Sequence, residues 1–194
     1  MQTAEVAVAY AYEFGNGWAL GAGVQTSVNR FRTDQLTLKF CPTAGNYEWD
    51  YSLGIGFNVG VYKSWEKFSV GAAFKSRQWN QGFDKYDDLI GESIDYPHSL
   101  RVGVAWRPVE RLEVTLDYEY QHWQGVPPAE STMLEGGLDW DNCNAVKVGL
   151  EYKATERLTL MCGYSYGTTV IDKDHVFLNV LSPSIIEHHV GGGV

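Results

Sequence analysis

The stretch Arg111 to Trp123, RLEVTLDYEYQHW, alternates without a slip. Leu112, Val114, Leu116, Tyr118 and Tyr120 fall on one side; Glu113, Thr115, Asp117, Glu119 and Gln121 fall on the other. A period of two means a strand, because successive side chains leave opposite faces of the pleat. One face is a row of large apolar groups, the other almost wholly ionic or hydroxylic. The same bias recurs in eight strands along the chain. Such a series describes a sheet with lipid on one side and water on the other.

The chain opens on the same pattern. Val6, Val8, Tyr10, Tyr12 and Phe14 oppose Glu5, Ala7, Ala9, Ala11 and Glu13, and Gly15-Asn16-Gly17 supplies a tight hairpin turn. Trp18, Leu20, Ala22 and Val24 return opposite Gly21, Gly23, Gln25 and Ser27. From about Asn29 to Glu48 the pattern weakens into a long loop, within which Leu36, Leu38 and Phe40 alternate. Trp49 to Val61 is the cleanest strand, with Gly54, Gly56 and Gly60 on its polar side. A short turn at Lys63-Ser64 leads to Phe68, Val70, Ala72 and Phe74. Gln78 to Pro97 reads as a second long loop, acidic at Asp84, Asp87, Asp88, Glu92 and Asp95. Leu100 to Trp106 is the next strand, and Pro108-Val109-Glu110 turns it into the stretch described first.

A third long loop, Gln124 to Asn142, precedes strands over Val146–Tyr152 and Leu158–Tyr166, joined at Thr155-Glu156. A fourth loop, Thr168 to Glu187, ends at a strand beginning at His188. Short turns and long loops thus alternate strictly, and the hairpin unit recurs about every 46 residues. Strands of roughly ten residues with short turns at one rim and long loops at the other describe an outer-membrane barrel. A lipocalin-like barrel with a dry ligand cavity would also alternate. It gives no reason for Trp and Tyr near strand ends, for a glycine-rich polar face, or for the loop asymmetry.

Composition is consistent with this reading. Mean hydropathy is −0.25, and no run of about eighteen apolar residues exists for a membrane helix. Alternating strands average out in any such window. The net charge of −9 argues against nucleic acid as a partner. Cys41, Cys143 and Cys162 give neither a metal site nor a disulfide framework, and no cofactor motif is present. The N-terminus alternates like a strand from its first residues. Either targeting information has been removed, or the chain begins inside its domain.

Three segments resemble the FadL/TodX family of outer-membrane transporters for long-chain fatty acids and other hydrophobic compounds. They are IDYPHSLRVGVAWRPVERLEVTLDYEYQHW (Ile94 to Trp123), VKVGLEYKATERLTLMCGYSYGTT (Val146 to Thr169) and NVLSPSIIEHHV (Asn179 to Val190). The resemblance implies an antiparallel, fourteen-stranded transmembrane β-barrel, blocked by an N-terminal hatch, that takes up hydrophobic ligands in the Gram-negative outer membrane. About nine strands are present here. Residues 1–194 would then be a partial barrel domain without the hatch and early strands. The implied partners are the lipid bilayer and lipopolysaccharide, a hydrophobic ligand such as a fatty acid, and the barrel assembly machinery. A non-transporting structural or adhesive barrel, or a general porin, is the alternative.

A fatty acid needs an apolar wall plus one or two cations for its carboxylate. Arg101, Lys75 and Lys147 are the inward cations away from the turns. Phe83, Leu89, Ile90, Val126, Met133 and Leu134 give the long loops an apolar surface where such a ligand would enter; the bland reading is that they pack loop on loop. Trp18, Trp65 and Trp106 belong to the short-turn rim, and Trp49, Trp79 and Trp123 to the long-loop rim, as membrane-interface aromatics. Catalysis is not expected. Glu113, Asp117 and Glu119 stack on one wall as lumen charges commonly do, and His98, His122 and His175 have no serine in a nucleophile turn beside them.

Overall fold

A computed structural model describes residues 1–32, 48–86, 93–127, 138–171 and 185–194. The strands are β1 (Gln2–Gly15), β2 (Trp18–Phe31), β3 (Asp50–Ser64), β4 (Phe68–Lys75), β5 (Trp79–Asn80), β6 (Ser99–Val109), β7 (Leu112–Gln121), β8 (Cys143–Thr155), β9 (Leu158–Gly167) and β10 (His188–Gly193). All pairings are antiparallel and follow chain order, β1-β2-β3-β4-β6-β7-β8-β9-β10, with the short β5 on β3. This is the meander of an all-β membrane barrel. Among the described residues β1 and β10 each have one sheet neighbour, so the sheet is open.

Among the described residues, each alternation read from sequence becomes a face of this sheet. The apolar side is the exposed one: Val8, Tyr10, Leu53, Ile55, Leu116 and Val148 all stand outward. The buried side is polar, with Gln25, Ser27, Asn29, Ser52, Ser69, Ser99 and Glu119 among its members. That inverts a soluble protein, whose large exposed apolar area would drive association. It suits a wall whose outer solvent is hydrocarbon and whose backbone groups are paired strand to strand.

The first turn is built as read, with Gly15, Asn16 and Gly17 all at positive φ. The second turn differs: β3 runs through Lys63 and Ser64, and the chain reverses at residues 65–67. Lys63 shows why. It faces outward opposite Trp18, its ammonium lies 5.4 Å from the Trp18 ring and 5.3 Å from the Trp65 ring, and it donates to Asn16 O. A long stem crossing apolar surface to place its charge at the membrane edge is snorkelling.

The expected loop over Gln78–Pro97 also departs from the reading, because β5 lies inside it. Asn58 faces Lys75, whereas Ile55 faces Trp79, so one extra residue is accommodated between β4 and β5. This is a bulge in the wall. Ser76 repairs the ladder there: Phe57 N donates to Ser76 Oγ at 2.9 Å, and Ser76 N donates to Phe57 O at 2.8 Å. The possible strand at Leu36–Phe40 lies outside the described residues.

Phe68 and Trp106 stack near the short turns with ring centroids 6.3 Å apart, and Trp79 stacks on Phe57 at 6.5 Å towards the other rim. Trp123 differs in direction. Its Nε1 donates to the inward Gln121, and its ring meets Trp140 edge-on at 4.8 Å. Single-tryptophan variants in liposomes carrying depth-graded quenchers should therefore divide into three. Trp18, Trp65 and Trp106 should quench from one interface and Trp49 and Trp79 from the other, with Trp123 quenched least from lipid. Strong quenching of all six from the bilayer centre would contradict this arrangement.

Candidate functional site: the inner wall and the long-loop mouth

The inner face is divided by residue size. Near its middle, Ala11, Gly21, Gly60 and Ala73 stand in one cross-strand row, and Gly71 and Gly103 in the next. With so few side chains projecting, a groove of about 650 Å³ runs along the wall, with Arg101, Arg107 and Asp117 among its lining.

Towards the long loops the wall is covered by its own chain. The bulge turns Gln78 and Asn80 inward over β2 and β3. Gln78 is fully buried and donates to Ser27 Oγ. Asn80 Oδ1 accepts from Ser27 Oγ at 3.1 Å and from Asn29 Nδ2 at 3.0 Å. Gly54 makes room, since a Cβ there would run into Asn80 Oδ1. Asp95 then ties the segment together. Its carboxylate accepts from Arg77 Nε at 2.7 Å, Asn80 N at 2.8 Å and Ser93 Oγ at 3.0 Å, while Arg77 also donates to Gly125 O at 3.0 Å. Asp95 is thus a buried clamp rather than part of a solvated acidic loop. Asp87, Asp88 and Glu92 lie outside the described residues.

Arg101 and Lys147 converge on a single carboxylate: Glu119 Oε1 accepts from Arg101 at 2.8 Å and Gln121 Nε2 at 2.9 Å, and Oε2 accepts from Lys147 at 2.7 Å. Glu119 is almost wholly buried, while its two cationic partners remain partly exposed. Lys75 is not in this group. It reaches across the concave wall to Glu5, 3.7 Å away, with two strands lying between their own. Glu113 pairs with Arg107 near the short turns.

Two of the six apolar loop residues, Phe83 and Val126, lie among the described residues. Both are buried rather than part of an exposed surface. Phe83 and Tyr86 pack on Phe31 with ring centroids 5.8 and 5.0 Å away, and the Tyr86 hydroxyl donates to Glu48 O at 2.7 Å. Leu89, Ile90, Met133, Leu134 and His175 lie outside the described residues.

His98 and His122 meet just beyond the ends of β6 and β7. Their rings are 4.7 Å apart, His122 N donates to His98 O at 3.1 Å, and the Tyr120 hydroxyl bonds His122 Nδ1 at 3.0 Å. Burial, and then the neighbouring His122, hold the His98 imidazole below its usual range. A depressed folded value favours the neutral ring. The associated stability is therefore present above about pH 6.5 and lost as pH falls through the folded value. Amide protection factors at the loop-side ends of β6 and β7, taken after correction for the intrinsic pH dependence of exchange, should fall on acidification, and His98→Gln should remove that step. A His98 ring titrating above its ordinary value by NMR would refute this.

An open antiparallel meander with an apolar outside, aromatic rims and a polar, self-covered inside defines an outer-membrane β-barrel. Residues 2–176 match the family model described as Type IX secretion system membrane protein PorP/SprF. The chain belongs to that family. Among curated proteins none matches. The fold is shared with solved hydrophobic-compound transporters. The Pseudomonas putida toluene transporter TodX matches at 15% identity and TM-score 0.64, covering 98% of this chain and 59% of its own. The Ralstonia pickettii toluene transporter TbuX matches at 14% identity and TM-score 0.55, with 86% and 56% covered. A Pseudomonas aeruginosa FadL homologue matches at 14% and 0.57, with 88% and 50% covered. The chain therefore spans between half and three-fifths of these proteins, and the resemblance read from its segments holds for the fold.

Proposed function

We propose that this chain forms the greater part of an outer-membrane barrel serving a type IX secretion system, inserted by the barrel assembly machinery into a leaflet of lipopolysaccharide. The match to the PorP/SprF family over residues 2–176 carries this reading. The lumen chemistry favours it over fatty-acid uptake. Arg101 and Lys147 are already engaged by Glu119 and Lys75 by Glu5, so an incoming carboxylate would have to compete with buried or bridging wall carboxylates.

A second reading, uptake of hydrophobic solutes, is supported by the small-residue groove beside Arg101 and by the shared fold of TodX and TbuX. In that reading Arg101, Lys75 and Lys147 would meet the polar end of a ligand. Deleting the gene in its own bacterium, then measuring type IX-secreted proteins and uptake of radiolabelled oleate and toluene, separates the two. Lost secretion with normal uptake is the expected result. Normal secretion with lost uptake would replace the first reading by the second.

A further inference from the structure

His98 and His122 bring two imidazoles together from adjacent strands at the long-loop rim. Leu100 faces Tyr120 and Ser99 faces Gln121 across β6 and β7, so the next cross-strand pair in this register is His98 and His122. Their rings lie with the outward aromatic side chains, His98 6.0 Å from the Phe74 ring and His122 6.1 Å from the Tyr120 ring. Both are half-buried, just past the last paired residues.

Their separation matches that of two ligands on one ion. A zinc-like dication binds an imidazole nitrogen at about 2.0–2.1 Å, with the ring centre about 1.1 Å further on. Ring centres 4.7 Å apart therefore subtend about 95–100° at an ion held by both. That angle falls between square and tetrahedral coordination, the geometries that imidazole-binding transition metals adopt.

The ring nitrogens are also disposed for it. His122 Nδ1 bonds the Tyr120 hydroxyl at 3.0 Å, which leaves Nε2 for an ion. A ligating histidine commonly uses its other nitrogen in this way, which fixes tautomer and ring orientation. Neither ring nitrogen of His98 has a hydrogen-bond partner among the described residues. His188 repeats the tyrosine contact, its Nδ1 2.8 Å from the Tyr164 hydroxyl, but its described ring neighbours are Tyr164 and Tyr166. It has no second imidazole beside it among the described residues, and so serves as an internal control. Among the described residues no group of three or more His, Cys, Asp or Glu could hold a metal. The pair thus supplies two ligands and leaves the other positions to water.

We infer that His98 and His122 form a two-histidine site for a transition-metal dication, binding Cu²⁺ more tightly than Zn²⁺. The ion ties β6 to β7 at the rim that faces the medium in barrels of this kind. The site is independent of what passes through the lumen.

The test uses the full-length, tag-free protein in detergent, stripped of metal by chelator and checked for folding by heat-modifiable migration. Cu²⁺, Zn²⁺ and Mg²⁺ are titrated by calorimetry, and the Cu²⁺ form is read by electron paramagnetic resonance. Wild type should bind Cu²⁺ saturably and more tightly than Zn²⁺, show two equatorial nitrogens, and ignore Mg²⁺. Y120F, which keeps both ligands, should weaken Cu²⁺ binding about tenfold. H98Q and H122Q should each weaken it further and leave a single nitrogen, whereas H188Q should change neither. Absence of a saturable Cu²⁺ site in wild type, which needs no variant, would overturn the inference. So would a two-nitrogen signal that survives in H98Q or H122Q, as binding at His188 or His189 would give.

Discussion

Arg at Leu116 or at Val148 should abolish stable insertion of the barrel. The two residues are cross-strand partners on β7 and β8, both about half exposed on the outward face. A cation near the bilayer midplane costs roughly 2–4 kcal/mol on this face. The change also places a charge mid-wall on a face whose charges, among the described strand residues, are Lys63 and Arg30 at its two rims. Thr115→Arg, one residue away, points into the polar interior and serves as the control. Folded yield in liposomes, read by heat-modifiable migration of the full-length protein, should fall sharply for the first two variants and mildly for the third. Similar losses at all three would mean that the two faces do not differ in solvent.

Glu119→Gln should produce the next largest effect, and a different kind of readout. The substitution leaves Arg101 and Lys147 without the carboxylate that joins β6, β7 and β8. Removing one member of a buried charge-assisted set costs several kcal/mol when all members are buried. Here both cations are partly exposed, so screening lowers the expectation to about 1–3 kcal/mol. The inner wall also gains one net positive charge. Unfolding from bilayers should shift to lower denaturant, and any ion conductance through the assembled barrel should move towards anions. E119Q/K147M should restore much of the stability. An unchanged stability in E119Q would show that the two cations find water or other partners at no cost.

The strands were legible because the side-chain period is two and each wall meets a different solvent. Tyr118 outward and Glu119 inward follow from neighbouring letters. Barrel class and outer-membrane location followed from the same alternation, together with the long and short connections, whereas the PorP/SprF family was not read from the sequence. What escaped the sequence depends on contacts distant along the chain. Nothing in Gln78, Trp79 and Asn80 announces a short strand on β3, because the bulge is created by Ser76 answering Phe57 and by the room over Gly54. Phe83 and Val126 look like loop hydrophobics until Phe31 and the Trp123 turn are placed against them. The resemblance to hydrophobic-compound transporters identified the architecture, while the family match points to secretion. One wall pattern suits both, so the strands alone do not distinguish them.

The two outward cations also give the barrel a built-in ruler. Trp18, which faces Lys63, and Arg30 are twelve residues apart on β2. At about 3.3 Å per residue this is roughly 40 Å along the strand. Tilted by about 40°, as barrel strands are, it rises roughly 30 Å. That height is close to the hydrocarbon thickness of an ordinary bilayer. A membrane much thinner would strand apolar rows in water, and one much thicker would draw Arg30 below the headgroups. Folding efficiency should therefore peak sharply with acyl-chain length.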